Sequence, residues 1–426
     1  MKTINLSHLD LNMYYEKIND LDVYVIPKEK QESVYAVLTT NYGSIHNKFI
    51  LDDKEIVMPL GVAHFLEHKM FESENGVDPF SFYAEKGADA NASTSYFKTS
   101  YLFSGSDNFK ENLKFLLEYT NKPYFTKENV QKEQGIIGQE IEMVRDDPYR
   151  RMYEEIMSNV FINHPIKDSV IGSRESIAKI TEDDLYTIYK CFYRNSNMFL
   201  VVTGNVKYKD VFDIVKKYRN DVKEKVNVKK IKYDEPDRVN RESSTLIMDV
   251  TIPKVSMSYK INIDSLKLDV INIMSYASIY LNSKFGGASI FNEKLKNMGI
   301  ISETCGFDYD VIDNHLVLTI FGESKDYNEL LEYIEREIHN TSFDENTFFR
   351  SKKVLKSNLI YMSENIYSMN DSITTSIIKY GKYEDRYNII DKLNIKDYEL
   401  FINSLNFDNK SSLIIKKQIN LIKNWL

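Results

Sequence analysis

The residues best suited to chemistry lie in one short stretch, Gly61-Val62-Ala63-His64-Phe65-Leu66-Glu67-His68-Lys69-Met70-Phe71-Glu72, which holds two of the seven histidines. His64 and His68 stand four positions apart, with Glu67 between them. On a helix, positions i, i+3 and i+4 share a face, so the three side chains point the same way. Two imidazoles one turn apart form a paired zinc-ligand set. A carboxylate on the same face can take a proton from water that the metal activates. The order H-x-x-E-H is the inverse of the H-E-x-x-H arrangement of zinc-dependent proteases. The plainer alternative is a surface helix with incidental histidines. Val62, Ala63, Phe65 and Leu66 oppose it, because they make the segment core-seeking. Two histidines and a glutamate buried there need partners, and zinc would supply one.

A catalytic zinc takes three protein ligands and keeps a fourth position for water, so another element must contribute. Thr126 reads as the N-cap of a helix running from Lys127 to about Val144. Glu133 and Glu140 lie seven positions apart on it and share a face. Spacing alone leaves Glu133, Glu140, Glu72, Glu74 and Glu142 all open as the third ligand. Between the two helices, residues 88–96 and 98–104 read as two strands. The first, with Asn91, Ala92, Ser93 and Thr94, is built of small residues and suits an edge that accepts a peptide by strand addition. An ordinary, weakly packed strand explains the same composition.

The remaining chain supplies the frame. Residues 21–26 and 33–40 read as two strands joined by a polar turn at Lys30-Gln31-Glu32, followed by a charged loop from Asp52 to Glu55. Helices are expected at 108–119, 149–160 and from the Ile180-Thr181 cap to Tyr193, with a buried strand at 197–204. Residues 222–243 are charged, carry Pro236 and few apolar anchors, and read as a linker. The second half repeats the order of the first: strands to about Ile263, a helix at 270–281, the turn Phe285-Gly286-Gly287, a helix at 291–298, then a strong strand at 316–321. Two domains are therefore expected, 1–222 and 241–426.

At 426 residues, with 42% hydrophobic and 28% charged side chains, the chain can build two sizeable cores. A net charge of −8 with no basic stripe argues against nucleic acid as a partner. No run approaches the roughly 20 apolar residues of a spanning helix, and residues 1–17 have no apolar core of a signal peptide. The two cysteines, Cys191 and Cys305, lack zinc spacing and read as buried thiols of a reducing compartment. Cytoplasmic location is the expectation.

Beyond the His64–His68 stretch, several further motifs agree in order. They include Gly87-Ala88, Asn91-Ala92, Thr94, Thr99 and Tyr101; Lys132-Glu133, Ile136-Ile137 and Glu140-Ile141; and His164-Pro165, Gly172, Ser176-Ile177, Ile180-Thr181, Asn197-Met198 and Gly204. On these residues the chain resembles the M16 metallopeptidases (pitrilysin, insulysin and mitochondrial processing peptidase), of the bacterial short-chain type. The match thins in the second half to Gly287, Ser289, Gly299-Ile300-Ile301, Phe307 and Tyr309. The resemblance implies an α+β fold of two similar domains, each an antiparallel sheet packed with helices, forming half of a clam-like chamber. It implies Zn2+ held by His64, His68 and Glu140, Glu67 as general base, and Glu133 as the residue that orients a ligand from outside. It implies peptide substrates lying along Asn91 to Thr94, and assembly as a heterodimer with a related chain or as a homodimer. A zinc endopeptidase for short or unfolded peptides is the expected function. A non-catalytic peptide-binding or scaffold subunit and a dedicated maturation protease for a peptide precursor are the alternatives. One departure stands out: where catalytic members carry an Arg and a Tyr, Phe291 to Ser302 here offers Lys294 and Lys296, with Ile301 or Ser302 at the tyrosine position.

Overall fold

The computed structural model describes residues 1–220, 226–342 and 344–418. The chain forms two compact units that are not consecutive in sequence. One comprises residues 1–142, 168–232 and 359–385; the other comprises 143–167, 233–358 and the residues from 386 onward. The expected domains, 1–222 and 241–426, thus differ from the units in two internal segments. Val222, where the linker was expected to begin, lies outside the described residues.

The strands are β1 (Lys2–Leu6), β2 (Leu11–Ile18), β3 (Leu21–Pro27), β4 (Val34–Thr40), β5 (Lys48–Leu51), β6 (Lys54–Val57), β7 (Ala88–Thr94), β8 (Thr99–Gly105), β9 (Met198–Gly204) and β10 (Val228–Lys230) in the first unit. The second unit contributes β11 (Ser243–Ile247), β12 (Lys254–Asn262), β13 (Gly306–Ile312), β14 (His315–Glu323) and β15 (Lys410–Lys416). The main sheet of the first unit has the order β1-β2-β3-β9-β4-β8-β7. The two strands joined through Lys30-Gln31-Glu32 are therefore separated in the sheet by β9. Every residue of β9 is buried, and a continuous apolar run belongs at a sheet centre covered on both faces. It runs parallel to β3 and antiparallel to β4.

A helix at Ile366–Tyr380, from the far end of the chain, packs on this sheet. Its Met369, Ile373 and Ile377 join Tyr24, Ile26, Phe199 and Val201 in one buried cluster. Its apolar stripe has the helical spacing that buries one face, and it finds that cover in the first unit. The charged loop at Asp52-Asp53 is the tip of the β5–β6 hairpin. Both aspartates have positive φ, 48° and 65°, as a two-residue hairpin turn requires. Part of the expected linker is also structured: β10 adds to β5 as a third strand.

The second sheet has the order β11-β15-β12-β14-β13. Its core includes Leu316, Leu318 and Ile320 of β14, backed by helices at Val270–Phe285 and Tyr327–His339. Both large sheets are mixed, with one parallel pair each, β3–β9 and β11–β15. The expected antiparallel pairing holds for every other neighbouring pair in the two large sheets. The edges of the first unit's main sheet are β1 and β7, and those of the second unit's sheet are β11 and β13. Among the described residues no helix is long and apolar enough to cross a membrane.

Candidate metal centre

Two helices carry the chemistry, α1 (Val62–Lys69) and α4 (Lys127–Arg145), with α2 (Pro79–Glu85) and α3 (Phe109–Tyr119) between them in the chain. Gly61 starts α1 with φ 87°, a left-handed conformation that favours glycine. A Cβ at Gly61 would sit 2.5 Å from the carbonyl oxygen of Ile171, and one at Gly172 would sit 2.6 Å from that of Leu60. The two backbones therefore pass in contact and fix where α1 begins. From there Val62, Ala63, Phe65 and Leu66 are almost wholly buried and anchor the helix. The same rotation turns His64, Glu67 and His68 toward α4 and β7.

His64 Nε2 lies 3.6 Å from Glu140 Oε1, and His68 Nε2 lies 3.6 Å from Glu140 Oε2. Ligand atoms of all three residues lie within 4.8 Å of one another, the cluster of this kind found among the described residues. These gaps are too long for hydrogen bonds. Two ligands about 2.1 Å from one ion at the tetrahedral angle stand about 3.4 Å apart, so the spacing suits a zinc-sized centre. The donor set, two imidazole nitrogens and a carboxylate, also suits zinc.

The other face of His68 meets Glu133, one α4 heptad before Glu140, at 3.0 Å from Nδ1 to Oε1. A carboxylate there favours the tautomer with the proton on Nδ1 and the Nε2 lone pair turned toward Glu140. Burial pushes His68 toward lower pKa, but the hydrogen bond and charge of Glu133, with Glu67 and Glu140 nearby, outweigh it and raise the value. Glu133 is driven upward by burial, yet His68 and Lys69 together hold it below its usual range. The remaining carboxylates are committed elsewhere. Glu72 pairs with Lys69 at 2.7 Å and Glu142 with Arg174 at 2.7 Å, while Glu74 is exposed.

Glu67 is 8% exposed. Thr94 Oγ1 donates to its Oε2 at 2.5 Å, and the Thr99 hydroxyl beside it donates to the carbonyl of Tyr42 at 3.0 Å. Burial raises the Glu67 carboxyl, an effect the Thr94 hydrogen bond and His68 oppose. Thr94 ends β7, the strand whose backbone was expected to bind substrate, and its side chain additionally serves the carboxylate. Asn91, Ala92 and Ser93 lie on β7, which pairs with β8 on one side and forms the sheet edge on the other. Sequence reasoning passed over two residues, Thr94 as a partner of Glu67 and Lys69 as a partner of Glu133. Only the i, i+3 spacing of Lys69 and Glu72 hinted at the second.

A repeated sheet-and-helix fold with an inverted His-Glu-His cluster on a buried helix defines a class of metallopeptidase-like proteins. Comparison with known proteins agrees. The family model described as Insulinase (Peptidase family M16) matches residues 23–174, and that described as the Peptidase M16 inactive domain matches residues 179–353. The uncharacterized zinc protease YmfH of Bacillus subtilis is 37% identical over 340 residues, which are 78% of this chain and 79% of the relative. A crystal structure of an M16-like peptidase from Alicyclobacillus acidocaldarius superposes with a TM-score of 0.90 at 25% identity, covering 98% of this chain and all of that one. A chain of Complex III2 from Candida albicans shares the fold, with a TM-score of 0.74 at 14% identity over 95% of each chain. The chain belongs to peptidase family M16.

Proposed function

We propose that this chain is a zinc-dependent endopeptidase acting on short or unfolded peptides in a cytoplasmic setting. The observation that carries the reading is the convergence of His64, His68 and Glu140 at metal-ligand spacing with Glu67 on the same helix face. In this reading His64 Nε2, His68 Nε2 and a Glu140 oxygen hold the ion. Zinc, when bound, supplies a Lewis acid that makes water a nucleophile at neutral pH. Glu67 is the general base. Thr94 occupies its Oε2, which leaves Oε1 to take the proton from the attacking water and hand it to the leaving amine. The peptide adds to the free edge of β7 along Asn91–Thr94, so that main-chain hydrogen bonds align it with little demand on sequence. A scaffold role gives no reason to keep these four side chains together.

The test is zinc content measured beside peptide cleavage. His68→Ala and Glu140→Gln should lose or weaken zinc, and Glu67→Gln should keep zinc while losing most activity. Full zinc in both ligand variants, or wild-type cleavage by Glu67→Gln, would refute the assignment.

A partner chain fits the same reading. Lys294 and Lys296 lie on the helix Ile290–Asn297, both exposed, and Ile301 is buried. The segment 290–302 itself contains no arginine or tyrosine, the residue types whose placed donors stabilise a developing oxyanion, a role commonly worth about 10²–10³ in rate. A related chain would supply those donors; a homodimer using the lysines is the second form. Strong activity of the isolated chain that survives substitution of both lysines would exclude both.

A further inference from the structure

The metal cluster rests on a buried cation that its proposed chemistry does not use. Lys69 follows His68 directly and is fully buried, with no exposed surface. Its Nζ lies 2.7 Å from Glu72 Oε1 and 3.5 Å from Glu133 Oε2. The other oxygen of Glu133 is the one that meets His68 Nδ1 at 3.0 Å. Glu133 thus faces an imidazole at hydrogen-bond distance on one oxygen and an ammonium at ion-pair distance on the other.

Taking an ammonium out of water costs several kcal/mol, which its ion pairs seldom do more than offset. A Met or Leu would fill the same space in α1 without that cost. Packing alone therefore does not explain a lysine here. A function through Glu133 does. To hold the Nδ1 side of His68 in one direction, the carboxylate must not rotate. A cation beside its second oxygen opposes rotation and offsets the crowding of Glu72 and Glu133 around it.

We propose that Lys69 is a positioning residue for the metal cluster: it fixes Glu133, which in turn holds His68 in the orientation and tautomer that ligate. The inference rests on the zinc reading of His64, His68 and Glu140. Partners that orient a ligating histidine typically contribute 10- to 100-fold to metal affinity. Lys69 should contribute through Glu133 and by no other route.

The test is zinc affinity, measured by competition with a chromogenic chelator at fixed pH, for wild type, Lys69→Met, Glu133→Gln and the double variant. Lys69→Met and Glu133→Gln should each weaken binding about 10- to 100-fold, and the double variant should bind no more weakly than Glu133→Gln. Circular dichroism of each apoprotein reports folding. Wild-type affinity in folded Lys69→Met would overturn the proposal, as would losses that multiply in the double variant. If Lys69→Met does not fold, the double variant, which removes the more buried of the two carboxylates left without their cation, decides: affinity equal to Glu133→Gln supports the route, and a further loss overturns it. Zinc bound by wild type but not by His68→Ala establishes the cluster first, so failure of the cluster reading stays distinct from failure of the Lys69 route.

Discussion

Removing the Thr94 hydroxyl tests whether Glu67 is the base. The hydrogen bond is 2.5 Å long, the length of an O–H donor on an ionised oxygen. Glu67 is 8% exposed, so solvent has little room to take the donor's place. A hydrogen bond to a charged group contributes about 1.5–3 kcal/mol. In Thr94→Val that stabilisation of the carboxylate is lost, while the protonated form loses less, so the carboxyl of Glu67 moves further up. A base must be deprotonated to act, so the acid limb of kcat/KM moves to higher pH. At pH values below the limb the variant is then slower than wild type by up to about 150-fold, the upper value taken at about 1.4 kcal/mol per tenfold. Above the limb the two rates converge. The assay is cleavage of a quenched fluorescent, unstructured peptide across pH, with zinc content checked at every point because protons compete with metal for His68. Thr94→Ser should restore the wild-type profile. A loss of equal size at all pH values, or an unchanged profile with full zinc, would refute Glu67 as a base tuned by Thr94.

Proline placed on the edge strand bears on the binding mode: of Ala92→Pro and Ser93→Pro, one removes an outward backbone donor and should raise KM sharply. Unchanged steady-state kinetics in both folded variants would exclude this edge. In the second unit, buried Lys260 pairs with Glu235 at 2.5 Å, and Glu235 also accepts from the backbone of Ile162, Asn163 and His164. Glu235→Gln leaves the ammonium without its charge partner and should cost about 3–5 kcal/mol of stability at neutral pH, read by urea unfolding. Burial pushes the Glu235 carboxyl up, but those donors hold it below its usual value. A depressed carboxylate contributes stability above its unfolded pKa that is lost as pH falls through the folded one, so acid should destabilise wild type more than Glu235→Gln. A steeper acid dependence in the variant would contradict this.

The helical period alone was enough to bring His64, Glu67 and His68 onto one face, because residues within one turn have no other place to go. The same local logic placed Glu133 and Glu140 together on α4, and Thr126 at its start. What local spacing could not decide was which carboxylate meets which imidazole nitrogen. That depends on how far α4 slides along α1, which involves contacts distant in sequence, such as Gly61 against Ile171 and Arg174 against Glu142 of α4. Five glutamates were open as the third ligand; packing left Glu140 facing both Nε2 atoms, set Glu133 behind His68 and tied Glu72 and Glu142 to cations. Strand identity was likewise readable from apolar runs at 21–26, 33–40 and 197–204, but strand order was not. β9 entered between β3 and β4 because a strand buried on both faces gains most at the sheet centre. The helix Ile366–Tyr380 has a sequence that shows an apolar stripe and says nothing of what covers it; the sheet of the first unit supplied that cover. Hydrophobic period is a local property of the chain, whereas the partner of each buried face is a choice among surfaces that exist only once the chain has folded.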